Sequence, residues 1–276
     1  MPKVYVNGSL VDEAAATISV FDHGLVVGDG VFETILLHDG AAFALRRHLD
    51  RLERSANGLG IKTPPRALIA DAVSATVAEA HQASGRIRVT LTAGLGPLGS
   101  SRDDGEPTLV VAIAELGEVH EVANVATVAF RRNEFGALSG LKTTSYGENA
   151  LALANAAELG ADEAIFANTA GMLCEGTGSN VFVVIDGELV TPTLSSGCLA
   201  GITRGLVLES GLGREADLHF SEFSAERIDE AFLTSTLRGV QPIATIDGAA
   251  LRAAPGSTTK EAAARYDALL DSDPEP

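Results

Sequence analysis

Two residues near the middle of the chain have types suited to chemistry, Lys142 and Glu175. Lys142 stands between Leu141 and Thr143-Thr144, and no other lysine occurs between Lys62 and Lys260. Such a lysine is either a surface side chain with its stem laid along the protein or a desolvated amine. Desolvation lowers a lysine's pKa and turns the amine into a nucleophile or base near neutrality. Glu175 lies in Cys174-Glu175-Gly176-Thr177-Gly178-Ser179-Asn180, just ahead of an apolar run, and an acid enclosed there needs a partner to stay charged. Two other stretches suit an anion. Arg51 falls beside the apolar stripe of an amphipathic segment, where its planar fork matches phosphate; a surface salt bridge with Asp50 or Glu53 is the alternative. Gly197-Cys198-Leu199-Ala200-Gly201-Ile202-Thr203-Arg204 leads into a helix whose first N–H groups and positive dipole end face an anion. Thr234-Ser235-Thr236 ends a strand in three hydroxyls, by itself an ordinary polar strand exit.

The elements that must position these residues follow from pattern. Val4–Val6, Asn7-Gly8 and Leu10-Val11 read as a hairpin. Phe32–Leu37 continues the glycine-rich Gly28-Asp29-Gly30 as a strand, so no helix dipole faces that loop. Leu45–Ala56 is an amphipathic helix with Leu45, Leu49, Leu52 and Ala56 on one face, and Arg66–Gln82 is a second helix behind Pro64-Pro65. Gly85–Thr92 alternates as a strand with its arginines on one face, Gly94–Gly105 is a loop, and Thr108–Ala114 is another strand. The pattern changes at residues 118–123, which divides the chain into a smaller first domain over 1–117 and a larger second over 124–276. In the second, Ala126–Phe130 reads as a strand and Ala150–Leu159 as a helix ended by Gly160. Ala164–Ala167 and Asn180–Ile185 are strands, and Asp186-Gly187 turns the latter into Leu189–Thr191. A short helix over 205–210 and a last helix from Lys260 to Leu270 precede an acidic tail expected to fray.

The chain of 276 residues has 46% hydrophobic content, ample for a core, and no uninterrupted apolar run of membrane-spanning length. Its start reads as a strand rather than a secretory signal, so a cytoplasmic location is expected. A formal charge of −17 argues against nucleic acid and anionic membranes as partners. Cys174 and Cys198 supply no disulfide framework and read as small buried thiols, and the scattered histidines predict no metal site.

A lysine on a strand, a helix, a strand pair and then E-G-x-G-x-N resemble the fold-type IV pyridoxal phosphate enzymes. These include branched-chain aminotransferases, D-amino acid transaminases and 4-amino-4-deoxychorismate lyases. The resemblance runs from about Val4 to Leu270 and implies an α/β (α+β) fold of two domains, like D-amino acid transaminase, with the cofactor in the cleft between them. It implies that Lys142 carries pyridoxal 5'-phosphate and is the catalytic base, and that Glu175 keeps the pyridine nitrogen protonated. Arg51 in H-L-x-R-L, Ile202 and Thr203 in G-I-T-R, and Ser235 with Thr236 become the phosphate ligands, with Leu199 packing on the ring. Tyr146 is a candidate for the cofactor hydroxyl; Phe32, Arg102 and Arg131 are candidates for the substrate pocket. Gly28–Thr34 (GDGVFET), the Lys142 context and Ser179 in place of a glutamate favour the lyase, with Thr34 as a proton donor to the leaving enolpyruvyl oxygen. An aminotransferase acting on D-amino or branched-chain amino acids and a non-catalytic binding protein of the same fold are the alternatives. A small anionic amine as substrate and a homodimer complete the expectations.

Overall fold

The structure, a computed structural model, describes residues 3–276 and divides into two units. One comprises the chain up to Gly117 together with Leu141–Tyr146 and Asp273–Pro276; the other comprises Glu118–Gly140 and Gly147–Ser272. The division after Gly117 lies at the start of the segment that the sequence marks as a linker. Leu141–Tyr146 departs from the expected second domain, because its backbone bonds are made to the first. Phe32 N–H donates to Lys142 O (3.1 Å), Thr144 N–H to Gly30 O (2.8 Å), and Lys142 N–H to Ser55 Oγ (3.1 Å).

The first unit contains β1 (Lys3–Val6), β2 (Ser9–Asp12), the single-turn α1 (His23–Val26), β3 (Gly30–His38), β4 (Ala41–Ala42), α2 (Leu45–Leu59), α3 (Arg66–Ala80), β5 (Gly85–Thr92) and β6 (Thr108–Ala114). Its strands form an antiparallel sheet in the order β2-β1-β6-β5-β3-β4. Strand side chains alternate between faces, and here the alternation separates core from chemistry. Val31, Ile35 and Leu37 of β3 with Ile87, Val89 and Leu91 of β5 pack against Leu49, Leu52 and Ala56 of α2 and Ile69, Ala72 and Val73 of α3. Phe32 and Thr34, opposite Thr90 and Arg88 in register, share the other face. Burying large aliphatic side chains contributes about 1.5–3 kcal/mol each, so this cluster is the main support of the unit.

Residues 273–276 do not fray. Ala44 N–H donates to Pro274 O (2.7 Å), Arg46 N–H to Glu275 Oε2 (3.0 Å), and Arg47 Nε to Pro276 O (2.6 Å). Ala44, in the left-handed region, gives α2 no side-chain cap. An acidic, carbonyl-rich segment therefore meets the positive end of that helix.

The second unit contains β7 (Ala123–Arg132), α4 (Gly147–Glu158), β8 (Glu163–Asn168), β9 (Leu173–Gly176), β10 (Asn180–Ile185), β11 (Glu188–Thr191), α5 (Ile202–Glu209), β12 (Arg214–Glu215), β13 (Glu230–Ser235), β14 (Gly239–Ile246), β15 (Ala249–Ala250) and α6 (Ser257–Ser272). The sheet order is β12-β11-β10-β13-β14-β7-β8-β9, with β15 beside β14 and parallel pairing of β7 with β8 and β14. Both faces are covered, as near-continuous apolar strands require. Val181, Val183, Ala231 and Leu233 face a cluster with Leu218, Phe223 and Ile228, while Phe182 and Phe232 stack at 4.9 Å beside Val207 and Ala262. Among the described residues no helix is long and apolar enough to cross a membrane.

Candidate active site

In the first unit Lys142 lies beside an aromatic pair. Its Nζ is 4.4 Å from the centre of the Phe32 ring and 5.7 Å from that of Tyr146, and the two rings meet edge to face at 5.1 Å. The Arg88 guanidinium lies on the Phe32 ring, 3.3 Å from its centre. Burial pulls the Arg88 pKa down to about 10, against the opposing pull of Tyr146 and Glu33. Thr34, half-buried, pairs across the strands with Arg88. Phe32, Tyr146, Lys142 and Thr34 are thus neighbours, and Arg88, which the sequence reading passed over as one of two alternating arginines, is the cation among them.

Behind the same strand sits a buried charge cluster. Glu33, fully buried, accepts Arg51 Nε at 2.8 Å and Arg51 Nη2 at 2.7 Å, and His48 Nδ1 at 2.7 Å. Burial raises a carboxylate's pKa, but here the Arg51 charge and the bonds from Arg51 and His48 prevail and take Glu33 down to about 2. His48 is held below its usual value by burial, against the pull of Glu33 and with help from the Arg51 and Lys142 charges. Arg51 is therefore paired, with neither Asp50 nor Glu53 but with an acid 18 residues earlier on β3. Burial separates it from an ordinary surface arginine.

The Arg102 guanidinium bonds Asp29 through two nitrogens and reaches the C-terminal carbonyl of α2 at Leu59 (2.7 Å), and Arg102 lines a cavity with Ile61, Lys62 and Asp103. Arg131 likewise turns its Nη1 to the carbonyls of Val128 and Ala129 and lies over Phe220. The next residue points the other way, as strand alternation requires, and Arg132 rather than Arg131 meets Glu175.

In the second unit Glu175 closes β9, nearly buried, and accepts Arg132 Nε at 3.1 Å on one oxygen and the Leu199 N–H at 2.9 Å on the other. Asn180, opening β10, donates Nδ2 to Leu199 O (2.8 Å). Leu199 is thus gripped at both backbone groups by the two polar residues of E-G-x-G-x-N. The grip needs glycine at 201, because a Cβ there would fall 2.0 Å from Asn180 Oδ1. The same segment runs into α5, which begins at Ile202, earlier than the sequence suggested, and has no side-chain cap at its N-terminus. Thr203 is buried next to Tyr266 of α6, whose ring packs on Gly239 after the β13–β14 turn. In that turn Arg238 N–H donates to Ser235 Oγ (3.3 Å), and Thr236 is half-buried.

A second buried acid organises this half. Glu163, fully buried at the start of β8, accepts Thr177 N–H (2.7 Å), the Thr177 hydroxyl, Gly178 N–H (3.3 Å) and Arg238 Nη1 (2.6 Å). Asn149 of α4 joins the framework, donating to Thr177 O (2.6 Å) while accepting from Arg132 (3.2 Å). Glu163, Arg132 and Arg238 are far apart in the chain, and the one local signal of these roles is an acid at the head of the buried strand β8. Cys174 and Cys198 are buried, and burial pushes both thiols up, Cys198 to about 11, so neither is a nucleophile.

The first unit thus sets an amine beside aromatic rings, and the second holds a fixed carboxylate and an uncapped helix start. The amino-transferase class IV family model matches residues 30–246, and the chain belongs to that family, whose members are pyridoxal phosphate enzymes. A putative branched-chain-amino-acid aminotransferase of Methanocaldococcus jannaschii is 38% identical over 89% of this chain and 88% of its own. An aminodeoxychorismate lyase of Bacillus subtilis is 30% identical over 88% of this chain and 86% of its own. Among solved structures, a branched-chain aminotransferase of Thermoproteus uzoniensis with norvaline superposes with a TM-score of 0.90 at 30% identity, covering 99% of this chain and 96% of that one. The residues present fit the cofactor: Glu175 has its oxygens already oriented, and the uncapped α5 start suits a phosphate, as does the Ser235 hydroxyl.

Proposed function

We propose that the chain is a 4-amino-4-deoxychorismate lyase, releasing pyruvate from its substrate and leaving 4-aminobenzoate, a folate precursor. The observation that carries this reading is the face of β3 and β5 where Arg88 lies on Phe32 opposite Thr34, beside Lys142. A guanidinium fork binds carboxylate, the Phe32 ring suits a planar carbocycle, and the Thr34 hydroxyl is suited to protonate an ether oxygen as it leaves.

In this reading Lys142 holds pyridoxal phosphate, Glu175 bonds its ring nitrogen, and Ile202, Thr203, Ser235, Thr236 and Arg51 bind the phosphate, with Leu199 and Tyr146 against the ring. Once bound, the cofactor supplies an electron sink that acidifies the carbon bearing the substrate amine. Lys142 takes the proton from that carbon and Thr34 donates one to the leaving oxygen. The carbon–oxygen bond breaks, the ring becomes aromatic and the three-carbon fragment leaves as pyruvate, so atoms balance without water. Arg88 orients the substrate, with Arg102 and Arg131 as further candidates for its carboxylates. The protein works as a homodimer, which light scattering on the purified protein checks.

A second reading, aminotransfer to branched-chain or D-amino acids, is favoured by the Methanocaldococcus relative. The test is to supply enzymatically made aminodeoxychorismate and follow 4-aminobenzoate, with leucine and D-alanine each paired with 2-oxoglutarate alongside. Stoichiometric 4-aminobenzoate with little glutamate supports the lyase; glutamate without 4-aminobenzoate overturns it in favour of aminotransfer.

A further inference from the structure

The turn after β13 is fixed in an unusual manner. Its arginine, Arg238, binds twice: the backbone N–H to Ser235 Oγ and the guanidinium Nη1 to Glu163 Oε2, at 3.3 and 2.6 Å. Glu163 uses its other oxygen on Thr177 and Gly178, the turn between Glu175 and Asn180. One buried carboxylate therefore joins the backbone that presents the acid to the turn that presents the hydroxyls. A fully buried carboxylate needs such charge-assisted partners, and the Arg238 side chain, 26% exposed, provides a cationic one.

We propose that Arg238 and Glu163 are positioning residues that hold the Ser235–Thr236 turn in register with the Glu175–Asn180 turn and so set affinity for a phosphate group. The inference rests on the cofactor reading given above. The Ser235 hydroxyl keeps its place only while its oxygen accepts the Arg238 N–H, and that N–H keeps its direction only while the guanidinium is anchored. Loss of the anchor therefore weakens binding of the phosphate more than binding of the ring.

The full-length protein, stripped of any cofactor, is titrated with pyridoxal phosphate and with pyridoxal, following absorbance. Arg238→Met, at a half-exposed position, is expected to raise the Kd for pyridoxal phosphate about tenfold and that for pyridoxal less than about twofold, the size of one lost charge-assisted contact. Arg238→Lys should recover part of the difference, and Glu163→Gln should act in the same direction. A merely structural role would lower the thermal midpoint and weaken both ligands equally; that outcome, or no change in either Kd, overturns the proposal. If the unmodified protein binds both compounds equally, it has no phosphate seat and the cofactor reading fails as well. Discrimination by the unmodified protein that Arg238→Met leaves intact removes only the positioning role.

Discussion

The two units use buried charge in opposite ways. In the first, Glu33, His48 and Arg51 sit behind β3, on its core face, and Phe32 and Thr34 point from the other face of the same strand. In the second, Glu163 and Glu175 bond backbone N–H groups, so that loops between strands are held in one shape. Side chains are placed by strand alternation in the first case and backbone donors by carboxylates in the second. The first arrangement tolerates changes of loop and is sensitive to strand register; the second depends on glycine and on small polar residues at fixed positions.

Breaking each half should show the contrast. Lys142→Ala has the largest expected effect, a loss of activity of at least on the order of 10⁴-fold, with borohydride reduction no longer fixing cofactor to the protein. Glu33→Ala leaves Arg51 buried without its acid and should cost about 3–5 kcal/mol of stability in denaturant titration. Glu175→Gln keeps the shape but not the charge, so kcat should fall about 10²–10³-fold while the melting temperature changes little. Gly201→Ala tests the backbone side: its Cβ meets Asn180, and the expected cost is about 1–3 kcal/mol together with weaker binding of pyridoxal phosphate.

The smallest effect is on pH dependence and sharpens the account of the first unit. Burial holds His48 neutral, so the unfolded chain takes up its proton first as pH falls below about 6.5, and stability declines from there. Glu33 adds a second decline: its contribution is complete above the ordinary carboxylate range and is lost as pH falls toward about 2. His48→Gln should remove the upper decline and leave the lower, read as the denaturant midpoint against pH. An unchanged profile would mean that His48 is not the group responsible.

Much of this was legible in the sequence because it is local. The alternation of β5, the stripe of α2 and the glycine turn after Glu175 each declare themselves within a few residues, and the structure has them at β5 (Gly85–Thr92), α2 (Leu45–Leu59) and Gly176–Ser179. What escaped is long-range pairing. Arg238 and Glu163 are 75 residues apart, and Arg132 and Glu175 are 43 apart, and no periodicity connects them. Neighbours on a strand also point to opposite faces, so Arg131 lies over Phe220 while Arg132 meets Glu175, and which of the two does so depends on the sheet. The tail misled because its charge suggests solvent, whereas α2 supplies it with unsatisfied N–H groups.

The placement of Leu141–Tyr146 in the first unit has a consequence for how the protein is made. During synthesis the residues up to Gly117 emerge well before the strip that carries Lys142, and the edge of β3 beside Phe32 stays open until that strip is translated. A nascent chain halted between the two would carry Phe32 and Arg88 without Lys142 or Tyr146. Dividing the gene at the apparent linker would yield a first fragment lacking Lys142 and Tyr146, and the Leu141–Tyr146 strip would have to be grafted back for that fragment to close the edge of β3 beside Phe32.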